Sequence, residues 1–503
     1  MHKRIVNIIN FIRGQEPRIP DADLFFPVYM QIQISKKHKL PTTFLLQYDA
    51  MTREDFRSFF LKEHNDYIET GVWLENCRAL IEKIGLKWKG RRGYDWDWHV
   101  NIGFLEGYTP KQRIKIIDEV FRYYKSIFKE YPSVVGSWLI DAFSMKYMVE
   151  KYHVKGFCIC REQYAIDAYT LWGGYSNGGY YPSKYNMLCP ADKKKNQIDA
   201  PVFRMLGIDP IYGYDEHKYY RGEGFEGCFT IEPYGKPGKD KDIVDWYFKE
   251  YFTNDYLSFS HITIGQENSF SWDSIKEGYE TQINKLIELN KKGIIFFEKF
   301  SNTCKNFTNE YKKTPPQTLI ALSDWEKTNL KSIWYNSYKY RSNLFLIDKK
   351  LFFRDITFFN DEYKERYLNR RCTSWDAVYD NLPLVDSRLW SSDIDNCYLL
   401  FKKEVNNINT ETENNNLIIH ITFNDGSKGK IVFKETAICF YNCGDLLYSL
   451  GNHSALENYK VSNQKIEYRH RKCSYSITID ANIQKMDKTF FLIHSRKNMK
   501  IIF

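Results

Sequence analysis

The chain has 503 residues, 43% of them hydrophobic and 17% aromatic, which excludes a disordered protein and suffices for a full barrel or doubly wound domain with an accessory domain. Its formal net charge of +9 is spread over scattered lysines rather than gathered into a basic stripe, so no nucleic-acid partner is expected. The 11 cysteines form no repeating framework, and no segment has the apolar length to span a bilayer, so a reducing compartment and no membrane insertion are expected.

In chain order, Ile5 to Ile12 is an apolar strand, followed by a polar loop that carries Glu16 and Arg18. The N-terminal MHKRIVNIINFIRG reads as this strand and not as a signal peptide, which favours a cytoplasmic location; a secreted or periplasmic one applies if a leader was removed. Pro27 to Lys39 has a weak helical period. Thr42 to Tyr48 is β-branched and aromatic and ends at Asp49, Arg53 to Asn65 is helical, and Tyr67 to Leu74 is a short strand ending at Glu75. This is the rhythm of a βα array.

Gly93 to His99, GYDWDWH, is the densest chemical signal. In an extended chain Asp95, Asp97 and His99 share one face and Trp96 and Trp98 the other. Carboxylates and an imidazole together suit a metal or proton transfer, and tryptophan faces suit a sugar ring. A polar edge segment with core tryptophans has the same pattern. Three such residues span roughly 13 Å on a regular strand, so the segment must bend to ligate one ion.

Thr109-Pro110 opens a helix through Lys129, Val134 to Ile140 is a strand ending at Asp141, Ser144 to Tyr152 is a helix, and Gly156 to Cys160 is a strand. A glycine- and tyrosine-rich loop then runs from Thr170 to Ala191. Trp172, Tyr175 and Tyr181 there either cover a long polar ligand or pack on one another. Later elements are a helix at Ile243 to Phe252, a strand at Leu257 to Ile264 leading into Gly265-Gln266-Glu267-Asn268, a helix at Trp272 to Leu289 and a last strand at Gly293 to Glu298. Polar residues at strand ends (Asp49, Glu75, Asp141, Glu267) mark the end of a barrel where active sites form. The expected organisation is a β/α barrel over 1–300, a connector packing on it over 301–375, and a β-sandwich over 376–503, where short alternating segments follow one another.

Thr43-Phe44-Leu45-Leu46 resembles the "ATFF" strand of the polysaccharide deacetylase superfamily, and Ile68 to Glu75 matches in position the strand that carries that family's metal-binding histidines. The whole chain is similar to an uncharacterised bacterial family with a deacetylase-like or glycoside hydrolase-like barrel and a C-terminal β-rich domain. The fold class this implies is α/β, a deacetylase-like barrel, irregular or seven-stranded, followed by a β-sandwich. The sequence departs from the pattern: Asn7, Asn10, Arg13 and Glu16 stand where paired acidic residues are expected, and Val72-Trp73-Leu74-Glu75 replaces His-x-x-x-His.

The favoured reading is hydrolysis of a glycosidic bond in an oligo- or polysaccharide without a cofactor. Asp141 and Glu267 are the carboxyl pair, with acid and base roles exchangeable, because the reaction needs two carboxyl groups across the scissile bond. The bland alternatives are a helix cap for Asp141 and a structural salt bridge for Glu267. Glu16, Arg18, Asp49, Glu75, Trp96, Trp98, Trp172, Tyr175 and Tyr181 are the candidate substrate contacts. One alternative is a metal-dependent carbohydrate deacetylase with Zn, Mn or Fe at Asp95, Asp97 and His99. Another is a barrel that binds carbohydrate without catalysis. Oligomeric state is not legible.

Overall fold

The computed structural model describes residues 3–19, 21–163, 169–215, 230–386, 397–451, 458–471, 473–495 and 497–503. Its first sheet runs in the order Ser260–Ile264, Arg4–Ile12, Thr42–Leu46, Ile68–Trp73, Val134–Gly136, Gly156–Cys160, Val202–Met205 and Gly179–Tyr180. The first seven pair in parallel, and only the two-residue Gly179–Tyr180 strand is antiparallel. Phe203 packs on His261 across the remaining gap, with ring centroids 4.7 Å apart, so side chains rather than backbone bonds bring the two ends of the parallel run together. The result is the irregular, nearly closed α/β barrel expected from the strand and helix rhythm. Its strands are buried on both faces, which explains runs such as FCIC at Phe157–Cys160 and TTFLL at Thr42–Leu46.

Helices connect the parallel strands. Pro110–Phe128 starts with Pro110 at its first turn and a capping box between Thr109 and Gln112. Ala142–Tyr152 starts two residues before the predicted helix because Asp141 caps it. Two helices, Tyr48–Thr52 and Glu54–Glu63, replace the single helix expected from Arg53. Of the expected last strand only Phe296–Phe297 pairs, in parallel with the first strand.

Beyond the barrel, one antiparallel sheet runs from Gln317–Ala321 through Lys331–Asn336, Tyr340–Ile347 and Lys350–Phe358 to Cys397–Phe401, Leu446–Leu450, Phe490–His494 and Asn482–Lys485. A second comprises eight strands between Val405 and Ile502. Phe353, Phe401, Phe433 and Phe440 belong to one apolar core that the two sheets share, which makes this region a sandwich. The expected connector is distributed among three places. The helix Phe300–Glu310 buries Phe300, Cys304 and Phe307 in the barrel core, the strands from Gln317 to Phe358 are sandwich strands, and Tyr367, Cys372 and Tyr379 return to the barrel.

The glycine-rich loop is packing material between barrel and sandwich. Trp172 and Tyr175 are 0% exposed and Tyr181 is 1% exposed. Tyr175 donates to the carbonyl of Pro315 and Tyr181 to that of Tyr311. Their expected place on an open ligand surface is therefore corrected: the rings are consumed by the interior. Gly173 and Gly178 have φ of +91° and +71°, and a Cβ on either would strike Asn381 or Gln317, so close approach as well as turning requires glycine here. Beneath the loop, Arg341 ion-pairs with both Glu162 and Asp355, and Arg204 also reaches Glu162. Among the described residues no helix is long and apolar enough to cross a membrane.

Candidate functional site

Four strand ends converge on Arg13. Phe11 and Trp73 stack in the barrel interior with centroids 4.2 Å apart, and Trp138 meets both edge-on at 5.1 and 5.4 Å. Arg13 lies two residues beyond Phe11 and Glu75 two beyond Trp73, so strand periodicity continues the same interior face above this aromatic floor. Arg13 donates Nε and Nη2 to the two oxygens of Glu75, at 3.0 and 3.1 Å, while its Nη1 lies 2.5 Å from Glu267. The flat guanidinium fork suits this double engagement. All three side chains are buried, with Arg13 3%, Glu75 4% and Glu267 7% exposed.

The backbone around Arg13 is tied on both sides. Asn268 accepts from the Arg13 amide and donates to the carbonyls of Arg13 and Leu24, joining the first strand to the loop that carries Glu267. Asp49 accepts from the amides of Gly14 and Ala50. A Cβ on Gly14 would lie 2.5 Å from the Asp49 carbonyl carbon, so glycine permits this approach. Burial pushes the Asp49 carboxyl up to about 6 against the pull of the two amides and Arg13. Burial also raises Glu267, opposed chiefly by the charge of Arg13, and holds the Arg13 guanidinium in competition with its two carboxylates, which raise it.

Trp96 covers this cluster. Arg13 stacks on its ring at 4.5 Å and Arg18 at 4.8 Å, while Arg18 is also held by both oxygens of Glu16. Trp98 follows, with Arg18 at 5.5 Å and Arg91 at 3.8 Å. The structure thus gathers Glu16, Arg18, Asp49, Glu75, Trp96, Trp98 and Glu267 around Arg13.

It does not gather the other predicted residues there. Gly93 to His99 is irregular, paired only through a Cys77–Trp96 bridge, so the expected alternation is corrected. Trp96 and Asp97 are both buried, whereas Asp95 is half-exposed and faces Arg78. Asp97 accepts from the amides of Arg91 and His99, and its Oδ1 lies 2.7 Å from His99 Nδ1. These contacts turn the chain and separate Asp95 from the other two. Among the described residues no group of three or more His, Cys, Asp or Glu is arranged to hold a metal ion. Asp95 turns to Arg78, away from the Asp97–His99 pair, so this donor set does not fit the metal of the deacetylase alternative.

Asp141 belongs to a different network. It is fully buried, accepts from the amide and hydroxyl of Ser144 and pairs with Arg113 at 2.9 Å. Glu106 and Glu365 join it there; burial first, and the charge of Asp141 second, push them up to about 7 and about 8. Glu365 accepts from the amides of Ala142 and Met187, and Arg113 donates to the carbonyls of Tyr367 and Arg370, so this network pins the 365–380 segment to the barrel. Among the contacts described, Asp141 and Glu267 share no partner.

Three participants escaped the sequence reading. Arg13 registered only as a missing acid, although an arginine directly after an apolar strand is the signal that identifies it. Arg91 had none beyond its place before the tryptophan segment. Trp375, 65% exposed, stacks on His99 at 4.7 Å, and its carbonyl accepts from the Val100 amide.

Residues 98–338 match the model of a family described as a domain of unknown function with a solved structure, DUF3863. No curated protein matches the chain. Among solved structures, a candidate glycoside hydrolase/deacetylase from Parabacteroides distasonis is 14% identical, over 75% of this chain and 88% of that one, with a TM-score of 0.55. A candidate polysaccharide deacetylase from Mycobacterium smegmatis is 11% identical, over 61% and 91%, with a TM-score of 0.37. The first of these establishes the fold: a deacetylase- or glycoside hydrolase-like barrel followed by β-rich domains.

Proposed function

We propose that the protein is a carbohydrate-active hydrolase that cleaves a glycosidic bond at the Arg13 cluster. The observation that carries this reading is the pair of buried carboxyl groups, Glu75 and Glu267, on two sides of one guanidinium. A guanidinium bridge of these lengths keeps the two groups within about 8 Å, inside the range over which glycosidases work with two carboxyls.

Glu267, raised by burial, is the proton donor to the glycosidic oxygen. Glu75 is the opposing carboxylate, which attacks the sugar carbon or takes a proton from water. Glu75 takes this role rather than Asp141 because it shares Arg13 with Glu267. Arg13 positions both groups, and Asp49 fixes the turn that presents Arg13. Trp96 and Trp98 supply the aromatic wall.

The test is a panel of oligosaccharides incubated with wild type, Glu267→Gln, Glu75→Gln and Asp141→Asn, with products identified by mass spectrometry. New reducing ends from wild type, lost by at least about a hundredfold in both Glu variants and kept within about tenfold in Asp141→Asn, support the reading. Released acyl groups in place of reducing ends, or dependence on Asp141 but not Glu75, overturn it.

A further inference from the structure

The three ion pairs along the Trp96–Trp98 wall are oriented alike. Arg18 is 42% exposed over a Glu16 that is 1% exposed, Arg91 is 29% exposed over an Asp97 that is 0% exposed, and His99 is 15% exposed over the same Asp97. In each pair the nitrogen-bearing side chain lies toward solvent and the carboxylate is sealed beneath it. A ligand arriving here meets guanidinium groups first, while the buried carboxylates fix their position. Arg18 uses Nε and Nη2 on Glu16, which leaves its Nη1; among the contacts described Arg91 uses Nε and its backbone amide on Asp97, its Nη2 is buried without a partner, and its Nη1 is left.

The same surface carries an exposed ring. Trp375 is 65% exposed, and its neighbour His99 lies 5.4 Å from Trp98, on which both Arg18 and Arg91 stack. The Val100–Trp375 backbone bond fixes this indole against the barrel. A continuous path of ring contacts thus leads from Trp375 through His99, Trp98, Arg18 and Trp96 to Arg13.

We propose that this rim is a binding subsite for an anionic sugar unit of the glycan chain, a uronate or a sulfated pyranose, with Trp375 under the ring and Arg18 and Arg91 on the anion. The proposal rests on the carbohydrate reading above and narrows its substrate class. An aromatic platform alone takes neutral sugars equally well; the outward guanidinium groups set the preference for charge.

The experiment is calorimetric titration of the Glu267→Gln protein, which is blocked in turnover, with tetragalacturonate, a sulfated carrageenan tetrasaccharide and the neutral cellotetraose, at low and high salt. The expected result is at least one acidic ligand bound about tenfold or more tighter than the neutral one, with affinity falling as salt rises. Adding Trp375→Ala weakens it about tenfold, and adding Arg91→Gln removes most of the preference for charge. Which acidic ligand binds identifies the anion as carboxylate or sulfate. Equal binding of neutral and acidic chains overturns the charge assignment and leaves the hydrolase reading standing. A charge preference untouched by Trp375→Ala and Arg91→Gln overturns this location. Trp375 is a surface side chain, so its variant keeps the test valid if the arginine variant fails to fold. Binding of no glycan overturns the carbohydrate reading, and this inference with it.

Discussion

Replacing Arg13 by methionine isolates what holds the site together. The side chain is 3% exposed and is shared by Glu75 and Glu267, which are themselves 4% and 7% exposed. Removing one member of a buried ionic set leaves the others without a counter-charge, at a cost of about 3–5 kcal/mol near neutral pH. The stacking of Arg13 on Trp96 is worth about 1 kcal/mol of the remainder. Burial already lifts Glu267, and loss of the guanidinium lifts it further. The sign follows from proton binding. A carboxyl whose folded-state pKa is raised holds protons more tightly when folded, so its destabilising effect is absent below the unfolded pKa, near 4, and develops as pH rises through the folded value. The gap between wild type and Arg13→Met is therefore smallest near pH 4 and largest near pH 8. At about 1 °C per kcal/mol for a unit of this size, thermal unfolding followed by tryptophan fluorescence places the variant roughly 3–5 °C below wild type at pH 8 and roughly 1 °C below at pH 4. A gap that is constant with pH, or that narrows toward pH 8, refutes the reasoning and makes Arg13 a packing residue.

Asp49→Asn keeps an acceptor for the Gly14 and Ala50 amides and removes a carboxyl pushed up to about 6; between pH 4 and 7 its stability should decline less than that of wild type, by an amount on the order of 2–3 kcal/mol, measured by denaturant titration. Gly14→Ala drives a Cβ against the Asp49 backbone and should destabilise by about 1–3 kcal/mol, while a surface Gly426→Ala control is limited to the strain of its φ of +79°. Arg341→Leu removes one ionic partner from each of Glu162 and Asp355, and proteolysis should then cut the chain faster around the glycine-rich loop; an unchanged cleavage pattern sinks this assignment. Asp141→Asn retains the helix cap and removes a charge that raises Glu106 and Glu365, so the titrations of both carboxyls, followed by NMR, should move downward.

Much of the barrel was legible because parallel strands leave long apolar runs and end in polar residues at one edge. Asp49, Glu75 and Glu267 were all readable from that rule, as was the proline-led helix at Pro110. Asp141 follows a strand in the same way, and its carboxylate caps a helix and pairs with Arg113; strand-end position does not report which partners a side chain has. Gly93 to His99 misled for a related reason. Alternation predicts two faces only where a neighbouring strand enforces the pleat, and here amides of Arg91 and His99 bend the chain around Asp97. The tyrosines of the glycine-rich loop misled because composition cannot tell a lining from a filling: the distant partners Pro315 and Tyr311 decide it. Trp375 was invisible because its neighbours lie far away in sequence.

The glycine-rich loop also sets what can be cut. Its aromatic rings are shared property of the barrel and the sandwich, and Arg341, a sandwich residue, neutralises Glu162, a barrel residue. A shortened gene ending at residue 300 would present Trp172 and Tyr175 to water and leave Glu162 with Arg204 as its remaining ionic partner. The sandwich is thus a cover on the hydrophobic interior of the barrel, and exchanging it for another module requires rewriting the loop as well.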